Sequence, residues 1–275
     1  MSKVIQLRRK LASIGQINKM TEAMQVVAVA QLKKVQMRQK AAWHYRLEYE
    51  RLAGRLGSQA APAAEKVRPV QLIYLLASER GFCGSFNESL VNKAREYSGA
   101  EFIVIGNKGC EAAREAGLGN VRSQIKTEWG MNFEAIAGKA MEAYDLYRSG
   151  QVREIHLLFN EFRSMLFQAP RLAQALPFDF TEAMNLSDSY IFEPALEEIR
   201  QTVELNYLKA LFYDAFMQTR LGEVAARLMT MRGAADNSAE MMDELKIKLN
   251  KARQAMITGE LSEILSSFEI LAEEE

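Results

Sequence analysis

Small and apolar residues in the first stretch of the chain fall at Val4, Leu7, Leu11, Ile14, Thr21, Ala28, Leu32 and Val35. That three-four alternation marks a helix seam that a second helix covers. The intervening positions carry Lys, Arg, Gln and Glu, which favour helix, and residues 3–57 hold no proline and glycine only at Gly15, Gly54 and Gly57. The pattern predicts one helix from Val4 to about Leu56. A second begins just after Pro194, with Glu197 and Glu198 in its first turn, where acidic side chains complement the helix dipole. Its apolar side holds Leu196, Ile199, Val203, Tyr207, Ala210, Tyr213, Met217, Leu221, Val224, Leu228 and Met231. Leu245, Leu249, Ala252, Met256 and Ile264 continue the stripe to about Leu271. Gly222, Gly233 and Gly259 interrupt it, each costing up to ~1 kcal/mol relative to alanine, which a long paired helix absorbs. At ~1.5 Å per residue the two helices would measure roughly 80 and 115 Å, more than a compact domain can cover. The expectation is that they pair with each other as an antiparallel coiled coil.

Between them the period changes. Gly57 to Pro69 is rich in Ala, Ser and Pro and reads as a linker. Val70 to Ala77 is a continuous apolar run, the mark of a strand buried on both faces. A helix from about Glu88 to Tyr97 follows, then a strand Glu101–Gly106 and a helix Lys108–Ala116 closed by Gly117. After a loop, Asn132 is placed to cap a helix through Tyr147, and Val152 to Phe159 is a third strand. Met165–Gln168 and the chain near Phe178 suggest further edge strands. From Asn185 to Glu193 the chain turns polar. The alternation of strand and helix predicts a doubly wound, Rossmann-like sheet with parallel strands. The expected organisation is a coiled-coil helix over 1–57, an α/β domain over 70–190 and a second coiled-coil helix over 194–275.

Bulk properties narrow the function. Lys plus Arg and Asp plus Glu balance at 35 each in 275 residues, so there is no general basic field for nucleic acid. No stretch is long and apolar enough to span a membrane. Met-Ser-Lys at the N-terminus lacks the apolar core of a signal peptide. Arg8, Arg9 and Lys10 resemble a transit peptide, but the amphipathic pattern runs on for dozens of residues and includes Glu22. Two cysteines, Cys83 and Cys110, do not make a disulfide framework and point to the cytoplasm. His44 and His156 are too few and scattered for a metal site. The 14 methionines suit an adaptable apolar surface, and equally a core.

Several short patterns bear on chemistry. Ser78-Glu-Arg-Gly-Phe-Cys-Gly-Ser85 joins a strand to a helix, where backbone N–H groups can hold a phosphate. It has Gly-x-x-Gly, without the third glycine of a dinucleotide fingerprint or the Gly-Lys-Ser/Thr of a P-loop. It reads as a tight turn, with a phosphate site as the alternative, and Gly106-Asn-Lys-Gly109 carries the same ambiguity. Cys83 has no histidine near it in sequence and reads as structural. His156 lies within a strand and reads as packed. Arg8, Arg9, Lys10, Lys19, Lys33, Lys34, Arg38 and Lys40 form either a solvated helix face or a collar for an acidic partner. Arg253 and Gln254, within Asn250–Glu260, can make directional hydrogen bonds to a partner.

Four stretches resemble the gamma subunit of F-type ATP synthases, the central rotor shaft. Lys19-Met-Thr-Glu-Ala-Met-Gln-Val-Val-Ala28 is similar to the family's Lys-Ile-Thr-x-Ala-Met-x-x-Val-Ala, and Ser78-Glu-Arg-Gly-Phe-Cys-Gly84 with Asn87 to its Ser-Asp-Arg-Gly-Leu-Cys-Gly loop. Ala225-Ala-Arg-Leu-Met-Thr-Met231 with Ala235-Asp-Asn237 resembles its Ala-Ala-Arg-Met-x-Ala-Met…Thr-Asp-Asn. Asn250-Lys-Ala-Arg-Gln254, Ile257-Thr258, Glu260 and Glu263-Ile264 resemble its last helix. The chain departs from the pattern at Gln16-Ile17, at Gly222, where the family has serine, and at Ser267-Phe268, where it has a small Gly-Ala pair. No cysteine-bearing insert of the chloroplast type is present. The resemblance implies a non-catalytic shaft without cofactor or metal, inside a hexamer of alpha and beta subunits. The epsilon subunit and the membrane c-ring would lie at its foot, peripheral to the cytoplasmic face of a bacterial membrane. It implies ring contacts at Lys19, Met24, Val27, Arg227, Asn250, Arg253 and Gln254, and a loop Arg80, Gly81, Cys83 and Gly84 that shapes the domain. Two other classes remain: a free-standing coiled-coil scaffold with a nucleotide-sensing head, and a Rossmann enzyme with helical arms, for which no acid–base or nucleophile set appears.

Overall fold

A computed structural model describes residues 2–56, 70–125, 132–178 and 193–273. The expected linker over 57–69 and the polar stretch 185–192 lie outside the described residues. The chain divides into two compact units, Ala28–Met229 and Met1–Val27 with Thr230–Glu275.

The larger unit carries the α/β body and the inner parts of both long helices. Helix α1 is Ser2–Leu56, and α5 is Leu196–Glu273. Between them come β1 (Gln71–Leu76), α2 (Phe86–Ala94) with a 3-10 turn Arg95–Tyr97, β2 (Glu101–Ile105), α3 (Asn107–Glu115), β3 (Val121–Ile125), α4 (Phe133–Arg148), β4 (Glu154–Phe162) and β5 (Gln168–Leu176). The sheet order is β3-β2-β1-β4-β5. The first four strands pair in parallel, and β5 pairs antiparallel to β4.

Strand β1 is central because its apolar run serves both faces. Leu72, Tyr74 and Leu76 join α4, Ala42 of α1, and Leu208, Phe212, Ala215, Phe216 and Met217 of α5 in one core. Ile73, Leu75 and Ala77 join α2 and α3 in the other. Each fully buried Leu or Ile here contributes about 1.5–3 kcal/mol relative to exposure. The sheet is therefore held chiefly by its middle strands, not by its polar edges. Asn132 caps α4 as its sequence position suggested, its side chain accepting from Ala135 N–H at 3.1 Å.

Two expectations need correction. The segment read as a loop before Asn132 contains β3, an edge strand with the sequence Val-Arg-Ser-Gln-Ile and little burial. The suggested edge pieces near Met165–Gln168 and Phe178 are instead one strand, β5, beginning at Gln168. Residues 163–167 form its turn, closed by Arg163 N–H to Phe167 O and Phe167 N–H to Ser164 O, both at 3.3 Å. Pro170 lacks the N–H of a central strand and is accommodated at the sheet edge.

The helix seams follow the predicted spacing. In the smaller unit Val4 and Thr21 are buried and Leu7, Leu11 and Ile14 half-buried, whereas Ile5, Ile17 and Val26 are exposed. There, Gln25 Nε2 donates to Met231 O at 3.1 Å, and Gly15 faces Met242. In the larger unit Gln39 and Arg46 meet Asp214, while Arg200 Nε donates to Leu56 O at 3.1 Å. In both units the residue numbers run in opposite directions, so the pairing is antiparallel. Among the described residues no helix is long and apolar enough to cross a membrane.

Candidate functional site

The loop after β1 is fixed first by its own backbone. Gly106 has φ +123°, a region that side chains avoid, and a methyl group there would lie 2.5 Å from Ala77 O. One added at Gly109 would lie 2.1 Å from the Ala77 methyl. These two glycines let the start of α3 close onto the end of β1. The Ser78 carbonyl then accepts from Lys108 N–H and Gly109 N–H, both at 3.1 Å. The first amides of α3, where a phosphate would sit, are thus spent on the chain itself. Asn87 grips the other side: its Oδ1 accepts from Ser78 N–H at 3.0 Å, and its Nδ2 donates to Ser78 Oγ at 2.7 Å. Past this point Phe82 and Gly84 take positive φ of 60° and 59°.

Helix α5 holds the loop from its other side. Glu223 is fully buried, and its carboxylate accepts from Glu79 N–H at 3.3 Å and Arg80 N–H at 3.1 Å. The same carboxylate accepts from Arg220 Nη1 at 3.1 Å and Arg227 Nη2 at 2.6 Å. Arg227 Nε donates to Gly81 O at 3.2 Å, and Arg220 pairs with the Glu79 carboxylate. The Arg220 guanidinium also lies over the Phe216 ring, 5.1 Å from its centroid. Two carboxylates and two guanidinium groups, none more than 10% exposed, therefore form one buried clamp.

Cys83 is buried beside Ser78 Oγ at 3.7 Å, and burial pushes its thiol up, which disfavours the reactive thiolate. His156 is buried in β4 with Nδ1 against Gln71 Nε2 at 3.2 Å, and burial holds its imidazole below the ordinary value. His44 is exposed on α1.

The residues singled out in the sequence fall into two groups. Arg80, Gly81, Cys83 and Arg227 come together in the clamped loop, with Arg227 buried and engaged within the chain. Lys19 and Val27 are exposed and Met24 half-buried on α1, and Asn250, Arg253 and Gln254 are exposed on α5. Since Gly15 lies against Met242, the smaller unit places Asn250–Gln254 beside the first turns of α1. Lys19, Met24 and Val27 lie on the other side of that contact, so the six do not form one patch. Glu79, Arg220 and Glu223 complete the clamp without standing out in the sequence. Their signal was three charges at Arg220, Glu223 and Arg227, spaced three and four apart, inside an otherwise apolar stretch of helix.

The fold defines a protein whose doubly wound α/β body is built on two long antiparallel helices and tied to the second by a buried ion cluster. Residues 3–271 match the family model described as ATP synthase. The chain is 30% identical over 269 residues to the ATP synthase gamma chain of Desulfitobacterium hafniense, covering 94% of this chain and 95% of that one. It is 31% identical over 281 residues to the gamma chain of Actinobacillus pleuropneumoniae, covering 95% and 96%. The chain belongs to the ATP synthase gamma chain family. Its fold is shared with a chain in the cryo-EM structure of the Euglena gracilis mitochondrial ATP synthase OSCP/F1/c-ring, with TM-score 0.71, 16% identity and coverage of 98% and 95%. A chain of the same organism's ATP synthase rotor matches with TM-score 0.67, 15% identity and coverage of 93% and 99%.

Proposed function

We propose that this chain is the central-stalk rotor subunit of an F-type ATP synthase, turning inside a hexamer of alpha and beta subunits. It couples ion movement through a membrane ring to ATP synthesis or hydrolysis and carries no catalytic centre itself. The epsilon subunit and the c-ring are the partners at its foot, and its place is the cytoplasmic face of a bacterial membrane, held peripherally. Family membership supports this reading.

The observation that carries it is the outer surface of the smaller unit. Beyond the seam, its helices leave Met20 at 55%, Val26 at 71%, Val27 at 53% and Ile247 at 58% exposure, with Lys19 exposed on α1 and Asn250, Arg253 and Gln254 exposed further along α5. Apolar side chains that a helix pair leaves exposed are available to a partner. Mobile aliphatic and Met contacts, with few fixed ion pairs, suit one that must slide.

The test is reconstitution of the chain with its cognate alpha and beta subunits, with and without residues 250–275, followed by ATP hydrolysis. The rotor reading expects one copy per hexamer, an active complex, and looser assembly or weaker coupling on truncation. A ring whose assembly and activity ignore the chain overturns it.

A further inference from the structure

We propose that the Glu79–Arg220–Glu223–Arg227 cluster is the joint through which torque passes between the α/β body and α5, an inference that rests on the rotor reading above. Two kinds of contact attach the body to this helix. The first is apolar packing of the sheet on Leu208, Phe212, Ala215, Phe216 and Met217. Such packing resists separation, but the hydrophobic attraction behind it is non-directional and does not by itself single out one register. The second is directional. Glu223 receives two backbone N–H groups of the loop, Arg227 reaches a loop carbonyl, and Arg220 reaches a loop carboxylate. Three side chains spaced along two turns of α5 thus hold three consecutive residues, Glu79, Arg80 and Gly81. Rotation of the helix about its axis, or sliding along it, breaks several of these bonds at once.

The loop is equally fixed to the body. Ser78 is bonded to the first amides of α3 and to Asn87 of α2, so a force on the loop is handed to the sheet and to two helices. Gly222 brings α5 close beside the clamp: a methyl group there would lie 3.0 Å from Phe86 Cε2, at the start of α2.

Stability alone does not account for the composition of this joint. Removing four charged groups from water is costly, and well-packed apolar residues of similar volume are often as stable or more so. What the ionic cluster adds is one orientation and one register, because charge-assisted hydrogen bonds to a planar guanidinium are satisfied in a single geometry. A passive α/β decoration has no use for that stringency. A body that must turn with its helix does.

The experiment uses the whole ATP synthase in proteoliposomes, reading ATP hydrolysis and ATP-driven ion uptake on the same preparation. The variant Glu79→Gln with Arg220→Gln removes one charge of each sign and leaves the Glu223–Arg227 pair in place. Its expected result is unchanged hydrolysis with ion uptake per ATP reduced several-fold. Arg220→Lys keeps the charge without the planar fork and is expected to fall between this variant and the parent. Leu158→Ala is the control, since Leu158 lies in the core beneath α2 and α3, which contains no residue of α5. It lowers stability and is expected to keep the parent's uptake per ATP.

An unchanged ratio in the neutral pair overturns the joint. So does an equal fall in Leu158→Ala, because the effect would then be general loosening. If the neutral pair does not assemble, Arg220→Lys decides alone, and a parental ratio in it overturns the proposal. Failure of the rotor reading looks different: the parent complex itself would lack the chain, or would hydrolyse ATP without moving ions.

Discussion

At the scale of single residues, buried polar groups decide more than surface ones. Asp214 is 4% exposed at its side chain, and its carboxylate receives Arg46 Nε at 3.0 Å, Gln39 at 3.4 Å and Gln218 at 3.3 Å. Burial nevertheless leaves its carboxyl above the ordinary range, so the desolvation it suffers outweighs what these donors return. Arg46→Met therefore strands a buried charge, with an expected cost of about 3–5 kcal/mol. Arg46→Met with Asp214→Leu should recover most of that loss in chemical denaturation. An equally unstable double variant would count against this account. His156 gives a pH dependence of definite sign. Burial lowers its folded value, so the native state disfavours the imidazolium and stability falls as pH drops through about 6.5, the unfolded value, towards the folded one. The unfolding midpoint of His156→Gln should lose less than the parent between pH 7.5 and 5.5. Asp214, with its raised value, contributes in the opposite direction at lower pH in both proteins and cancels from the difference.

At the scale of elements, local signals worked where one element met one environment. Asn132→Ala should cost about 1 kcal/mol because the cap of α4 is a single side-chain bond, and Asn132→Asp should keep most of it. A thermal melt that does not distinguish the two would remove the cap from the account. The same simplicity made β1 legible, since a strand buried on both faces shows an unbroken apolar run. It made the α1 seam legible too, since the spaced positions from Val4 to Val35 are buried or half-buried in their respective units. Edge strands lack such a signal. Val121–Ile125 buries little, so no apolar pattern marks it and only its pairing with β2 makes it a strand, and Pro170 hid β5 by breaking the pattern that reads as strand. The clamp was half legible. The loop stood out by its glycines, but the charges that hold it lie more than 130 residues away, in a helix read only for its apolar stripe. Gly106 was likewise visible as an ambiguity, and geometry resolves it: Gly106→Ala combines a positive φ with a contact to Ala77 O, an expected loss on the order of 1–3 kcal/mol from backbone strain alone.

At the scale of the whole molecule, stability and assembly should come apart along the chain. Arg253 and Gln254 are exposed, and substitutions at such positions usually change folding by no more than about 0.5 kcal/mol. Arg227 belongs to the same list of residues expected at the ring, but it is buried between Glu223 and Gly81. Arg253→Ala with Gln254→Ala should therefore leave the unfolding midpoint of the chain in place and weaken its retention in the alpha–beta complex. Arg227→Ala should do the reverse in order of cause: it leaves Glu223 short of one donor, lowers the midpoint first, and affects assembly only as far as the loop is released. Measuring both quantities on both variants separates a surface that meets a partner from a bond that shapes the body. If Arg253→Ala with Gln254→Ala binds the ring as the parent does, those two side chains are not where the ring is gripped. The contact must then be sought at the exposed apolar positions of the same unit, Val26 and Ile247 first.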